Sequence, residues 1–381
     1  MDNILFIANN AALDGAPKSM LGMIMQLDKE KYLPYVLLPE HGRLEDELKL
    51  AHIDYFIVPY SICVHKDAKE KWSITDYWEY YDAEWDAVME ICHLIKELEI
   101  AVVHTNSSVV DAGAIAAVIM RKPHIWHARE FVAEDFNWKF INFRLEQLLM
   151  KRSYVISISE TIARMVRKRY GARTRVIYDG LECERYLAPV HIRENKDYIK
   201  IMIAGVISEG KGQKEAVEAV MQLLDKGYKV KLSIIGQAHT EYISMINERI
   251  KQSERGQEIQ ILPFAKDLTE IRKEHDIALV CSRCEALGRV TIEAMLAGMP
   301  VIGSNSGGTV ELIGSREERG YLYTQGNSAE LADKINYVML HPKEAEKKAY
   351  IAQKFAKRKF DIVSYMAKIE VIYRELVNKE Y

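Results

Sequence analysis

Short apolar runs alternate with longer amphipathic stretches along most of the chain, the pattern of parallel strands joined by crossover helices in an α/β protein. Ile4–Ala8 predicts a first strand, followed by a turn over Leu13-Asp14-Gly15-Ala16 and an amphipathic helix over Lys18–Leu27. Tyr35–Leu38, Tyr55–Val58, Val102–His104, Ile125–His127 and Tyr154–Ile158 predict the rest of an N-terminal sheet. Ala188–Lys200 is polar, contains Pro189 and lacks an apolar period, so it reads as an interdomain linker. A second alternation then begins with a strand at Lys200–Ala204 and a helix near Gln213–Leu224. Strands are expected at Val230–Ile235, Ile259–Leu262, Ile277–Cys281 and Pro300–Gly303, before a helical tail over Lys343–Tyr381 that breaks around Lys359-Phe360-Asp361. The pattern predicts two α/β domains, 1–190 and 191–361, with ligands at the C-terminal ends of their strands.

Composition narrows this picture by exclusion. The 381 residues are enough for two domains that each bury a core, and 49% hydrophobic with 28% charged residues is ordinary for a globular chain. A net charge of -3 gives no reason to expect a nucleic-acid partner. The cysteines at 63, 92, 183, 281 and 284 are odd in number and scattered, which argues against a disulfide framework. The N-terminus lacks a basic leader region, and no apolar run approaches the roughly 18 residues of a membrane span. The expected compartment is the cytoplasm.

The candidate chemistry is concentrated in Cys281-Ser-Arg-Cys-Glu-Ala-Leu-Gly-Arg-Val-Thr-Ile-Glu293. A strand ends near Cys281, a loop carries Glu285 and Gly288, and a helix starts near Arg289. Gly288 permits a tight turn, and the N–H groups that open the helix suit a diphosphate. Glu285 and Glu293 can accept hydrogen bonds from sugar hydroxyls. The pair Cys281 and Cys284 invites a metal reading, but no second Cys or His pair stands at ligand spacing, so packing is the better account. No G-x-G-x-x-G follows a strand, which disfavours a dinucleotide dehydrogenase.

The E-x7-E spacing of Glu285 and Glu293 resembles that of the retaining glycosyltransferases of family 4, the "glycosyl transferases group 1". The resemblance extends over nearly the whole chain. Ala204–Gly212 is similar to that family's strand, loop and Lys-Gly element, and Ser306-Gly307-Gly308-Thr309-Val310-Glu311 to its Gly-Gly-x-x-Glu turn. Tyr178-Asp179-Gly180-Leu181 resembles the turn closing the first domain, usually Asn-Gly there, and Leu13–Ala16 resembles the glycine-rich loop after the first strand.

The resemblance implies a GT-B fold: two Rossmann-like domains facing each other across a deep cleft, with a C-terminal helix, about 362–381, crossing back to the N-terminal domain. That domain would bind the acceptor, and the C-terminal domain would bind a nucleotide sugar, expected to be a UDP- or GDP-sugar. It also implies that Glu293 holds the ribose, Glu285 the transferred sugar and Lys211 the diphosphate. His127 would meet the donor sugar, with His104 and His124 as competing candidates. Gly15, Ala16, Gly205, Ala286, Leu287, Gly288, Arg289 and Val290 complete the expected donor contacts. The implied catalytic residues are His127, Glu285 and Lys211, with no metal or other cofactor required.

The family usually has Arg directly after the glycine at 205, where this chain has Val206; Arg289 is the expected replacement. The acceptor would be a glycan or lipid-linked sugar, in surface polysaccharide or glycoconjugate assembly. The basic run Arg164 to Arg175 reads first as a solvated helix face; the alternative is peripheral contact with the anionic inner face of a membrane. The aromatic group Trp72, Tyr77, Trp78, Tyr80, Tyr81 and Trp85 is expected to be mostly core. Two other readings stay open: a non-catalytic nucleotide-sugar-binding partner, and another enzyme of the same architecture, such as a sugar-nucleotide epimerase or a phosphorylase.

Overall fold

The computed structural model describes residues 1–13, 15–65, 72–132, 138–190, 197–237, 240–265 and 267–378. Asp14 of the expected first turn and 191–196 of the expected linker lie outside these. The chain divides into two compact units, Met1–Leu181 with Ile362–Tyr381, and Glu182–Asp361.

The first unit contains β1 (Asp2–Ile7), β2 (Tyr32–Leu38), β3 (Asp54–Ile57), β4 (Val64–His65), β5 (Ile100–Thr105), β6 (His124–Ala128), β7 (Lys139–Phe140), β8 (Tyr154–Ser157) and β9 (Thr174–Val176). Seven of these form a parallel sheet in the order β3-β2-β1-β5-β6-β8-β9, and β4 pairs antiparallel with β7. Because successive strand residues face opposite sides, β1 feeds two cores. Ile4, Phe6 and Ala8 pack with Met20, Met23 and the C-terminal helix, while Leu5 and Ile7 pack with Val88, Ile91 and Ala116.

The helix Ile362–Val377 belongs to this unit because Ile362, Tyr365, Met366, Ile369, Ile372, Tyr373 and Leu376 form one apolar stripe at helical spacing, and that stripe is buried in the first core. Gly180 sits where a Cβ would come within 2.7 Å of Ile362 Cα, so the close approach of the tail requires glycine there.

The second unit contains β10 (Ile199–Ala204), β11 (Val230–Ile235), β12 (Ile259–Leu262), β13 (Ile277–Val280), β14 (Val301–Ser304) and β15 (Tyr321–Tyr323). Their order, β12-β11-β10-β13-β14-β15, is that of a doubly wound nucleotide-binding sheet.

Three local readings are corrected. The first helix runs Gly15–Met25, so Gly15 and Ala16 lie in its opening turn rather than in a loop ahead of Lys18; Pro17 is compatible with that turn because the amides there lack helical partners anyway. The break between units falls after Leu181 instead of at 190. The short helix Cys183–Tyr186 is held in the second unit by an Arg185–Asp267 ion pair at 2.8 Å and by the Arg272 guanidinium over the Tyr186 ring. The aromatic group is not mostly core: Trp78 is 72% and Trp85 55% exposed on the helix Ile74–Glu97.

Candidate functional site

In a doubly wound sheet the crossovers diverge at the switch point, leaving a ligand-sized gap beyond the strand ends. In the second unit the switch lies between β10 and β13. The loop after β10 carries Gly205 to Gly212, and the loop after β13 carries Cys281 to Gly288. They are joined by a hydrogen bond from Arg283 N to Gly210 O of 2.8 Å. Gly212 has φ +70°, and a Cβ there would fall 2.2 Å from Cys281 O, so the Lys-Gly element presses its backbone against the end of β13. Gln213 closes the first loop by donating to Val206 O at 2.9 Å.

Lys211 Nζ lies 2.7 Å from Glu285 Oε1, and the Ser282 hydroxyl donates to the same oxygen at 2.6 Å. The loop is braced from its other side. The Ser304 and Ser306 hydroxyls both donate to Ser282 O, and Gly308 N donates to Glu285 O at 2.6 Å. A Cβ on Gly307 would come within 2.5 Å of Glu285 O, which explains the glycine pair in physical terms. Gly288, with φ +91°, then turns the chain into the helix Arg289–Leu296, whose N-terminus no side chain caps. Its opening amides and partial positive charge face the site, and Arg289 begins the helix half-buried.

Glu293 pairs with Arg272 at 2.5 Å, and both are largely buried. Arg272 was not singled out from the sequence, where it is one basic residue among several in a short polar segment. Leu287 is buried, so its side chain packs instead of lining open space, while Val206 is 48% exposed beside Gly205. Burial pushes the Cys281 thiol up to about 12, and its side chain packs in the core of the second unit.

In the first unit, His127 lies near the C-terminal end of β6 and is fully buried. Arg129 Nη2 approaches His127 Nδ1 at 3.4 Å, and His104 Nε2 approaches the same nitrogen at 3.3 Å. A guanidinium only donates, so Nδ1 accepts and the proton sits on Nε2. His104 then donates through Nε2 and accepts from the Tyr373 hydroxyl at its own Nδ1, 2.7 Å away. Burial holds both imidazoles well below their usual range, and the Arg129 charge adds to this.

His127 Nε2 has no hydrogen-bond partner among the described residues; Asp179 Oδ1 is 3.9 Å away. The Arg129–Asp179 pair, at 2.5 Å, anchors the network, and Arg129 Nε donates to Asn106 Oδ1 at 3.0 Å. Asn106 Nδ2 in turn donates to Ala16 O at 2.9 Å, tying the first helix to this group. The competing His124 is committed elsewhere, between Thr105 and Ser153 hydroxyls. Asn106, Arg129, Asp179 and Tyr373 come from four distant segments and carry no shared sequence signal.

Residues 188–355 match the family model described as glycosyl transferases group 1, and residues 13–185 match that of glycosyltransferase family 4. The chain is 23% identical over 290 residues to the capsular polysaccharide biosynthesis glycosyltransferase CapM of Staphylococcus aureus, covering 70% of this chain and 74% of CapM. It is 21% identical over 230 residues to spore coat protein SA of Bacillus subtilis (strain 168), covering 54% of this chain and 60% of that protein. Its fold is similar to that of Anabaena Alr3699/HepE, whose structure was solved in complex with UDP, with a TM-score of 0.81 at 22% identity over 99% of this chain and 100% of the other. A glycosyltransferase from Rickettsia africae ESF-5 is similar over 100% of both chains, with a TM-score of 0.82 at 19% identity. These neighbours have the GT-B fold, and so does this chain.

Proposed function

The chain belongs to the family 4 glycosyltransferases, and from that premise we propose that it transfers a hexosyl unit from a nucleoside-diphosphate sugar to an acceptor hydroxyl with retention at the anomeric carbon. The observation that carries the reading is the meeting of Lys211, Glu285 and the uncapped N-terminus of Arg289–Leu296 at the β10/β13 switch point. A diphosphate there would draw Lys211 away from Glu285, because it offers the ammonium a denser negative charge. Glu285 would then be released to accept from sugar hydroxyls. Lys211, Arg289 and the helix amides would neutralise the charge that builds on the departing diphosphate. Gly205, Ala286 and Val290 flank the same space, and Glu293 would accept from the ribose.

In this reading the second unit binds the donor and the first the acceptor. His127, with its Nε2 proton unengaged, serves as a hydrogen-bond donor to a sugar hydroxyl, with Gly15 and Ala16 giving close backbone approach. No metal is assigned a role in the transfer. A UDP-sugar is the first donor to test, since HepE was solved with UDP and with UDP-glucose. The similarity to CapM supports a glycan or lipid-linked acceptor in surface polysaccharide assembly. Among the described residues no helix is long and apolar enough to cross a membrane. Contact with a membrane would instead be peripheral, through the exposed Arg164, Arg167 and Lys168.

The test is thermal-shift binding against UDP-, GDP-, ADP- and CMP-sugars, followed by transfer to glycan acceptors and NMR of the product anomer. Stabilisation by one nucleotide series, lost in Lys211→Met, together with a product of unchanged anomeric configuration, is expected. Binding without turnover on any acceptor would overturn the catalytic assignment, and an inverted product would overturn retention.

A further inference from the structure

Three segments far apart in sequence meet at a buried point of the first unit formed by none of the residues assigned to sugar transfer. Cys63, just ahead of β4, donates its amide to Val109 O at 2.8 Å and accepts from Ile141 N at 3.0 Å. Its backbone is thereby fastened to the segments that lead into the helices Ala112–Ile119 and Phe143–Arg152. Asp111 precedes the first of these helices, and Glu146 lies in the opening turn of the second. The Cys63 sulfur and one carboxylate oxygen from each acid lie within 4.8 Å of one another. The three residues are 2%, 4% and 0% exposed.

These carboxylates are poorly served by the protein. Asp111 caps no helix amide, and its Oδ1 has no hydrogen-bond partner. Neither oxygen of the fully buried Glu146 has one. A third acid, Glu84, is 4% exposed; its Oε2 accepts from Ser61 N at 2.9 Å, while its Oε1 is also orphaned. No Lys, Arg or His among the described residues forms an ion pair with any of the three acids. Buried carboxyls so close together must be neutralised, by protons or by a cation. Without a cation, burial holds both Glu146 and Asp111 above the usual carboxyl range, and the Asp111 charge adds to the rise at Glu146. A proton shared between Asp111 and Glu146, with the Cys63 thiol donating to Glu146, would still leave the orphaned Glu84 oxygen unserved.

We propose that Cys63, Asp111 and Glu146 form a structural site for a divalent cation of the zinc class. Thiolate and carboxylate ligands at about 2.3 and 2.0–2.2 Å from a tetrahedral ion stand roughly 3.3–3.8 Å apart, a separation that fits within the observed cluster. The sulfur separates this set from an Mg²⁺ or Ca²⁺ site, which would need six or more oxygens. Glu84 stands near enough for its charge to act on both Asp111 and Cys63, which adds to the negative potential that a cation would neutralise. The ion would pin the segment before β4 to the starts of two helices. One of those segments continues from Asn106, which holds Arg129. The cation therefore stabilises the first unit without taking part in transfer, and binding releases the thiol proton together with any that neutralise the ligating carboxyls.

The full chain, purified without a metal-affinity tag, is stripped with chelator and titrated with Zn²⁺ against a chromophoric competitor. Metal per chain is read by mass spectrometry. About one tightly held Zn²⁺ per chain is expected, lost in Cys63→Ser and in Glu146→Gln, with a Tm rise on loading that those variants lack. Co²⁺ loading of the wild-type chain should give a near-ultraviolet thiolate-to-metal band, absent in Cys63→Ser; this arm remains decisive if Glu146→Gln fails to fold. A wild-type chain that takes up no Zn²⁺, or uptake undiminished in Cys63→Ser, overturns the proposal. Donor binding should be the same with and without the ion, so the outcome is read independently of the glycosyltransferase assignment.

Discussion

Glu293 is held by Arg272 at 2.5 Å within the second unit, with the two side chains 11% and 2% exposed, so removing the carboxylate has a structural consequence as well as a functional one. Glu293→Ala leaves a guanidinium in a site that water barely reaches, beside the Tyr186 ring and with Arg272 Nη1 already unpartnered. Breaking a buried pair from one side costs about 3–5 kcal/mol. For a unit of 180 residues, counted from 182 to 361, about 2–4 °C of Tm per kcal/mol gives a fall of roughly 6–20 °C. Arg272→Leu replaces the orphan with an apolar side chain, so the double variant should be less destabilised than the two single changes added together. The coupling should exceed about 1 kcal/mol. Donor affinity should behave differently. Loss of charge-assisted bonds worth about 1.5–3 kcal/mol weakens binding about 10–150-fold in both Glu293→Ala and the double variant, however well the latter folds. The assay is a double-mutant cycle by urea unfolding, with nucleotide-sugar titration of each variant. Stability changes that add to within about 0.5 kcal/mol would refute the ion-pair reasoning. Full recovery of donor binding in the double variant would refute the ribose role.

Four further outcomes follow from the structure. Lys211→Met should lower kcat about 10²–10³-fold while costing under about 1 kcal/mol of stability, because the lysine is partly exposed. Arg289→Ala should damage turnover comparably, and near-normal kinetics would show that it does not replace the arginine missing at Val206. Gly212→Ala should destabilise by at least about 1–2 kcal/mol from the left-handed backbone alone, and more because Cys281 O must move; an unchanged unfolding midpoint would contradict the packing described. His124 is held down to about 3 by burial, against about 6.5 unfolded. Its stabilising contribution is therefore complete above pH 6.5 and is lost as pH falls through the window down to 3, because only the unfolded chain takes up the proton. Between pH 6.5 and 5 this amounts to about 2 kcal/mol, at 1.36 kcal/mol per unit. Urea unfolding at pH 7 and pH 5 should show a shallower pH dependence in His124→Gln, and an unchanged one would refute the assignment.

Much of the architecture follows from local pattern. Strand and helix periods are set by which neighbours a side chain meets within a few residues, so Val230–Ile235 and Ile259–Leu262 are legible without any tertiary information. The donor-side loops are legible for a similar reason. Their chemistry needs glycines at fixed offsets from a lysine and two glutamates, and those residues lie within single short segments.

What the sequence could not supply is pairing between segments. Nothing near Glu293 announces Arg272, 21 positions earlier, and nothing near His104 announces Tyr373, 269 positions later. The start of the first helix at Gly15 was hidden because a glycine and a proline weaken the helical signal that packing against the sheet restores. Trp78 and Trp85 were misjudged because an aromatic stripe marks an apolar face without saying what covers it. The burial that keeps His127 neutral and the meeting of Cys63, Asp111 and Glu146 were likewise decided only by tertiary structure. Desolvation and convergent donors arise from surroundings assembled by distant parts of the chain, and no local pattern encodes them.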